Sequence, residues 1–136
     1  YKPFFYWYVF KDFNNRGTDY SQNKLTGVPT HTTFSKIKFD LKNYLAQISF
    51  QNVGKIPMND SNELFTDSYS VIDLKLSKLY SLKNLGINIS TGVNNLLDKR
   101  YASGIVINAR GFGGRDPRFY YPGLPRNYYI SLSLSI

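Results

Sequence analysis

Most of the arginine in this 136-residue chain lies near its C-terminal end. Arg100, Arg110, Arg115, Arg118 and Arg126 are five of the six. A guanidinium is a permanent planar cation with forked donors. It binds carboxylates, catecholates and phosphates through paired, charge-assisted hydrogen bonds. Phe112, Phe119, Tyr120 and Tyr121 lie among these arginines and supply faces for stacking or cation–π contact. The nearby acids are Asp98 and Asp116. The pattern suits an anion-capture loop in which Arg110, Arg115, Arg118, Tyr120 and Tyr121 touch the ligand. The competing reading is a solvated loop whose arginines pair with acids elsewhere. Arg110-Gly111-Phe112-Gly113-Gly114-Arg115 also resembles an RGG-type RNA-binding segment. One such unit between two strands reads more simply as a flexible loop, and no nucleic-acid partner is expected. No helix follows it, so it is not a phosphate-binding loop.

Other chemistry is sparse. There is no cysteine and one histidine, His31. Disulfides, Cys-ligated metals and multi-His clusters are therefore excluded. His31 follows Pro29 at a loop–strand boundary and reads as a capping or hydrogen-bonding residue. Asp60, Glu63 and Asp67 give the middle loop an acidic tilt without the spacing of a calcium loop. Asp73 and Lys75 share a strand face as ordinary charges. No nucleophile, base and orienting group stand together, so no enzyme activity and no resident metal or cofactor are expected.

The elements that position these residues read as strands. Tyr128, Ile130, Leu132, Leu134 and Ile136 alternate with Tyr129, Ser131, Ser133 and Ser135, which a strand separates and a helix mixes. Ile37, Phe39 and Leu41 alternate with Lys36, Lys38 and Asp40 in the same way. So do Tyr44 to Gln51, Ile72 to Ser77 and Ile87 to Asn94. A less regular aromatic segment, about Phe4 to Phe13, makes six strands. Lys42-Asn43 and Ser81 to Leu85 are short turns. Asn14 to Thr30, Lys55 to Ser68 and Ser103 to Leu124 are long loops. Short turns at one end and long loops at the other describe an antiparallel up-and-down meander, with no internal repeat beyond that hairpin rhythm and no interdomain linker.

Alternation alone does not say which solvent each face meets. In a soluble sandwich the apolar face is the core; in an outer-membrane barrel it meets lipid. Strands near ten residues match a tilted membrane strand better than an average soluble one. Tyr69, Tyr80, Tyr101 and Tyr128 near strand ends suit interfacial girdles. The aromatic content, 12 Tyr, 10 Phe and 1 Trp, and the surplus of 17 Lys+Arg over 9 Asp+Glu fit the same picture. Single-chain barrels need about eight strands or more, and an open edge in lipid leaves backbone groups unpaired. Six strands therefore predict an incomplete wall. No signal-peptide pattern is visible, and a chain opening at Tyr1 reads as a mature product or an excised piece.

Four ordered stretches carry a resemblance. Gly92-Val93-Asn94-Asn95-Leu96-Leu97-Asp98-Lys99-Arg100-Tyr101 resembles the penultimate-strand signature of TonB-dependent outer-membrane receptors, especially those for ferric siderophores. Pro122-Gly123-Leu124-Pro125-Arg126-Asn127-Tyr128-Tyr129 resembles that family's approach to its last strand. Gly27-Val28-Pro29-Thr30-His31-Thr32 and Val53-Gly54-Lys55, the latter followed by Asn59-Asp60-Ser61-Asn62, resemble two earlier strand boundaries.

The resemblance implies that residues 1–136 are the last six strands of a transmembrane barrel of about 22, with a plug domain and the other strands outside this stretch. It implies residence in the bacterial outer membrane and a periplasmic C-terminus. The long loops are then extracellular and the short turns periplasmic. It also implies active import of a ferric siderophore or similar chelate, energised by TonB in the periplasm through the plug. Iron enters only as part of that chelate. Expected partners are the rest of the barrel and plug, TonB, lipid and lipopolysaccharide, whose phosphates offer the loop arginines another counter-charge. Asn94, Asn95, Asp98, Arg100, Tyr101, Pro125, Arg126 and Asn127 are the motif residues, with strand-end registration as their role. If alternation runs on through the motif, Asn94, Asp98 and Arg100 share the lumenal face. Asn95 then meets lipid, a cost that a β-bulge or nearness to the headgroup region would relieve. Ile136 stands where the family most often has an aromatic. The reading from another class is a small soluble antiparallel β domain that binds an acidic partner through the arginine-rich loop.

Overall fold

The structure, a computed structural model, describes residues 8–136. Those residues form strands β1 (Asn14–Asn15), β2 (Thr18–Asp19), β3 (Thr32–Leu41), β4 (Tyr44–Val53), β5 (Tyr69–Leu82), β6 (Leu85–Asn94), β7 (Ala102–Ile105), β8 (Tyr120–Pro122) and β9 (Asn127–Ser135). No helix occurs among the described residues. Strands β3, β4, β5, β6 and β9 make one five-stranded sheet in that order, while β1–β2 and β7–β8 are separate two-stranded pairs. The fold is all-β and the long strands follow one another as an antiparallel meander.

Much of the expected first strand lies outside the described residues. Its described part is not a strand of this sheet. Val9 makes a single bridge with Lys24, and Phe10 bonds through its backbone to Asn23 and Gln22. The Phe10 and Phe13 rings stack at 4.5 Å. Among the described residues the sheet thus has five strands rather than six. Strand β5 runs to 14 residues, well past the expected Ile72 to Ser77.

The two short turns are built alike. Leu41-Lys42-Asn43 and Leu82-Lys83-Asn84 repeat one tripeptide. Leu82 pairs directly with Leu85, so the second turn contains only Lys83 and Asn84. Lys42 and Lys83 both take left-handed backbone, φ 54° and 50°.

The chain divides into two units. One contains residues 33–52, 70–100 and 124–136 and is built around the large sheet. Its register separates two faces. Leu76↔Thr91↔Ile130 and Tyr80↔Ile87↔Leu134 lie on one; Ser77↔Ser90↔Ser131 and Lys75↔Gly92↔Tyr129 lie on the other. The apolar face is the exposed one: Leu76 is 60% exposed, Ile130 79% and Leu132 63%. Val71 is the sole buried apolar residue of this unit among the described residues, whereas Ser49, Ser90 and Asn95 are buried. The Ser77 and Ser90 hydroxyls share a 2.8 Å hydrogen bond. A sandwich strand buries its apolar residues; this sheet buries the hydroxyls of Ser49 and Ser90 instead, while Ser131, Ser133 and Ser135 of β9 are exposed. On the same polar face the Tyr129 ring lies over Gly92. A Cβ there would stand 2.5 Å from the Tyr129 hydroxyl and 2.6 Å from the Leu74 carbonyl, so only glycine fits.

The second unit comprises the residues up to Thr32, Val53–Tyr69 and Tyr101–Gly123, which include most of the long connections. Its buried apolar residues are Val53, Pro57 and Met58. Buried Thr66 exchanges two bonds with Ile56, donating its N–H at 3.0 Å and accepting the Ile56 N–H on its hydroxyl at 3.1 Å. The Tyr69 and Tyr101 rings stack at 4.6 Å.

Candidate functional site: an arginine hairpin and its anchor

The arginine-rich loop is a hairpin. Gly104 stands opposite Tyr121 and Ile105 opposite Tyr120, with a register shift at Ser103. The bulged Ser103 hydroxyl donates to the carbonyls of Tyr121 and Pro122 at 3.3 and 3.1 Å, so the irregularity is internally satisfied. Beyond it, Val106 donates to the Phe119 carbonyl at 2.6 Å. At the tip Phe112 and Arg115 form an antiparallel bridge across Gly113-Gly114. Both glycines have positive φ, 61° and 73°, as the two central residues of a tight hairpin turn require. The segment expected to be a flexible loop is therefore a defined turn at its apex.

The tip presents charge and ring together. Phe112 is 92% exposed, and Arg110, Arg115, Arg118, Tyr120 and Tyr121 are all exposed. The guanidiniums of the three arginines make no hydrogen bond or ion pair with any described residue. Five forked N–H donors per side chain thus face solvent. Such a cluster can grip a polyanionic, planar ligand, with one ring available to cover it.

The base of the hairpin is anchored by Asp60, read from sequence as an acid of the middle loop and a member of the run Asn59-Asp60-Ser61-Asn62. Asp60 donates its N–H to Asn108 Oδ1 at 3.0 Å, and Asn108 Nδ2 donates back to Asp60 Oδ2 at 2.9 Å. Asp60 Oδ1 accepts from the Thr26 hydroxyl at 2.6 Å, and its carbonyl accepts from Asn23 Nδ2 at 2.7 Å. Asn62 adds a two-way pair with the Lys24 backbone, 2.7 and 3.0 Å. Segments 23–26, 60–62 and 108 are thereby tied together. Glu63 accepts from Ser61 and Asp67 is exposed. No cluster of potential metal ligands occurs among the described residues. The run Asn59-Asp60-Ser61-Asn62 was the available signal, because short polar side chains in series favour side-chain-to-backbone bonds. Their partners, up to 48 residues away, were not visible. His31 accepts the Gly54 N–H at 2.9 Å through its carbonyl, and its Nδ1 lies 3.4 Å from the Thr30 hydroxyl.

The motif residues at the end of β6 gather in the sheet unit. Asn95 is 2% exposed. Its Nδ2 donates to the carbonyls of Lys99 and Leu124, and its Oδ1 accepts the Lys99 N–H, all within 2.8–3.0 Å. Its backbone N–H reaches Asp73 Oδ1 at 2.8 Å. Asp98 accepts the Arg126 N–H at 2.8 Å, Asn94 donates to Asn127 at 2.9 Å, and Asn127 donates to the Pro125 carbonyl. Two sequence expectations are corrected here. Asn95 is enclosed, not lipid-facing. Asn94, Asp98 and Arg100 do not share a strand face, because β6 ends at Asn94. The backbone turns left-handed at Asn95 and Asp98, φ 52° and 51°, which ends the alternation. Arg100 is exposed. Tyr101, in the other unit, accepts the Gly123 N–H at 2.7 Å through its carbonyl. No protein-family model matches the chain.

Proposed function

We propose that this chain is wall and extracellular rim of a bacterial outer-membrane β-barrel receptor of the TonB-dependent type, and that its Arg110–Arg118 hairpin captures an anionic ligand such as a ferric siderophore. The single observation that carries the reading is the inverted centre of the sheet: its apolar face is exposed on successive long strands while Ser49 and Ser90 on the other face are buried. Lipid is the solvent that favours this arrangement. The outer strands β3 and β9 then need pairing partners, since open edges are costly in a bilayer. The rest of the barrel supplies them, and transport belongs to that whole, through its plug and TonB. The unpaired guanidiniums of the tip supply the ligand chemistry.

Detergent dependence tests the wall. The chain should aggregate in plain buffer and become folded only in detergent or with the remaining strands. A folded monomer in plain buffer would refute the wall and favour a soluble module binding an acidic partner. Titration of the whole receptor with a panel of ferric chelates tests the hairpin, comparing wild type with the Arg110→Ala, Arg115→Ala and Arg118→Ala variant.

A further inference from the structure

One lysine is misplaced in the alternation. Lys78 stands opposite Ile89 on the apolar face of β5, in line with Leu74, Leu76 and Tyr80. An isolated ammonium on a lipid-facing surface is costly and needs a partner. Its Nζ lies 4.7 Å from the ring centroid of Tyr44 and 4.7 Å from that of Tyr80. Two tyrosine rings thus flank one ammonium on a side chain of intermediate exposure, and no carboxylate of a described residue pairs with it.

The surroundings say what would neutralise it. Lys78 is near the short-turn end of its strand. Lys42 and Lys83 occupy the two adjacent turns. Leu41, 71% exposed, and Leu82, 60% exposed, lie beside those turns. The acids of the sheet, Asp40 and Asp73, fall on the alternate positions that belong to the polar face. Among the described residues the result is a band of tyrosine, leucine and lysine with no side-chain carboxylate on its face. Apolar residues that would contact acyl chains are continuous with cations at headgroup level.

We infer that Lys78, clamped by Tyr44 and Tyr80 and flanked by Lys42 and Lys83, binds the phosphate of an anionic phospholipid in the leaflet at the short-turn end. The inference rests on the membrane-wall reading. The phosphate oxygens accept from the Lys78 ammonium while the tyrosine rings pack against the glycerol and upper acyl chain. Lys42 and Lys83 raise the local anion concentration from the turns.

Native mass spectrometry of the whole receptor from phosphatidylcholine vesicles with or without phosphatidylglycerol tests this. Wild type should retain phosphatidylglycerol over phosphatidylcholine by about fivefold. Lys78→Gln should lose that preference, Lys78→Arg should keep it, and Lys75→Gln on the opposite face should leave it intact. Equal retention of both lipids by a receptor that inserts into both vesicles overturns the lipid site and leaves the wall standing. Unchanged preference in Lys78→Gln also overturns it. A whole receptor that enters neither vesicle overturns the wall and the site together.

Discussion

Asp60 and Asn108, 48 residues apart, bind each other in both directions: the Asp60 N–H to the Asn108 side-chain oxygen and the Asn108 amide to the Asp60 carboxylate, at 3.0 and 2.9 Å. Asn108 also donates its backbone N–H to Met58 at 2.9 Å. The loop that carries Asp60 therefore holds the foot of the arginine hairpin at three points.

Removing either side of this pair should loosen the hairpin. Asn108 has φ 50°, a region that glycine tolerates and alanine does not. Asn108→Gly removes the side chain alone, whereas Asn108→Ala adds about 1 kcal/mol of backbone strain. In hydrogen exchange, residues 106–118 should exchange faster in Asp60→Ala and in both Asn108 variants, most in Asn108→Ala. A double-mutant cycle of Asp60→Ala with Asn108→Gly should give a coupling of about 1 kcal/mol. Additive effects would show that the Asn108 amide and the Asp60 carboxylate hold nothing together, since Asp60→Ala keeps the backbone N–H that donates to Asn108.

Asn95 is a stronger constraint because it is enclosed. Its amide donates to two carbonyls and accepts one N–H. Asn95→Asp keeps the shape but points a carboxylate oxygen at the Lys99 and Leu124 carbonyls. It should be at least as damaging as Asn95→Ala, costing about 3 kcal/mol. Thermal unfolding in detergent, followed by gel mobility, measures the order. A wild-type-like Asn95→Asp would mean that the donors are not needed.

The long strands were legible because one rule, alternation at period two, repeats over β3, β4, β5, β6 and β9. It failed where side chains rather than pattern set the backbone. Asn95 and Asp98 turn left-handed because their partners, Leu124 and Arg126, lie 28 or 29 residues on. The Ser103 bulge is stabilised by carbonyls 18 and 19 residues away. Lys78 lies one residue past the alternation read over Ile72 to Ser77, and its meaning depends on Tyr44, on a neighbouring strand. The arginines were legible as a cluster. Their presentation on a tight turn followed from Gly113-Gly114, a pair that reads equally as looseness when the bridge between Phe112 and Arg115 is not seen.

The two Leu-Lys-Asn turns carry a correctable strain. Lys42 and Lys83 sit at φ 54° and 50°, where a side chain with a Cβ costs about 1 kcal/mol. Lys42→Gly and Lys83→Gly should each raise the unfolding midpoint slightly, the relief exceeding glycine's extra chain entropy by about 0.5 kcal/mol. A lowered midpoint for both would indicate that the lysine side chains contribute more than the turn costs.

The hairpin apex separates presentation from charge. Gly113 and Gly114 let Phe112 and Arg115 bridge across a two-residue turn. Gly113→Val, β-branched at a positive φ, should open that turn while leaving every arginine in place. Arg115→Lys leaves the turn and the charge but removes the fork. If the tip grips its ligand through oriented guanidiniums, both variants should weaken binding of a ferric chelate to the whole receptor by roughly tenfold, about the value of one charged hydrogen bond. If the tip acts only as a diffuse positive field, Arg115→Lys should bind as wild type, and affinity for both should fall with added salt in the same proportion. Equilibrium titration at two ionic strengths distinguishes these outcomes, and indifference of binding to both substitutions would remove the hairpin from the site.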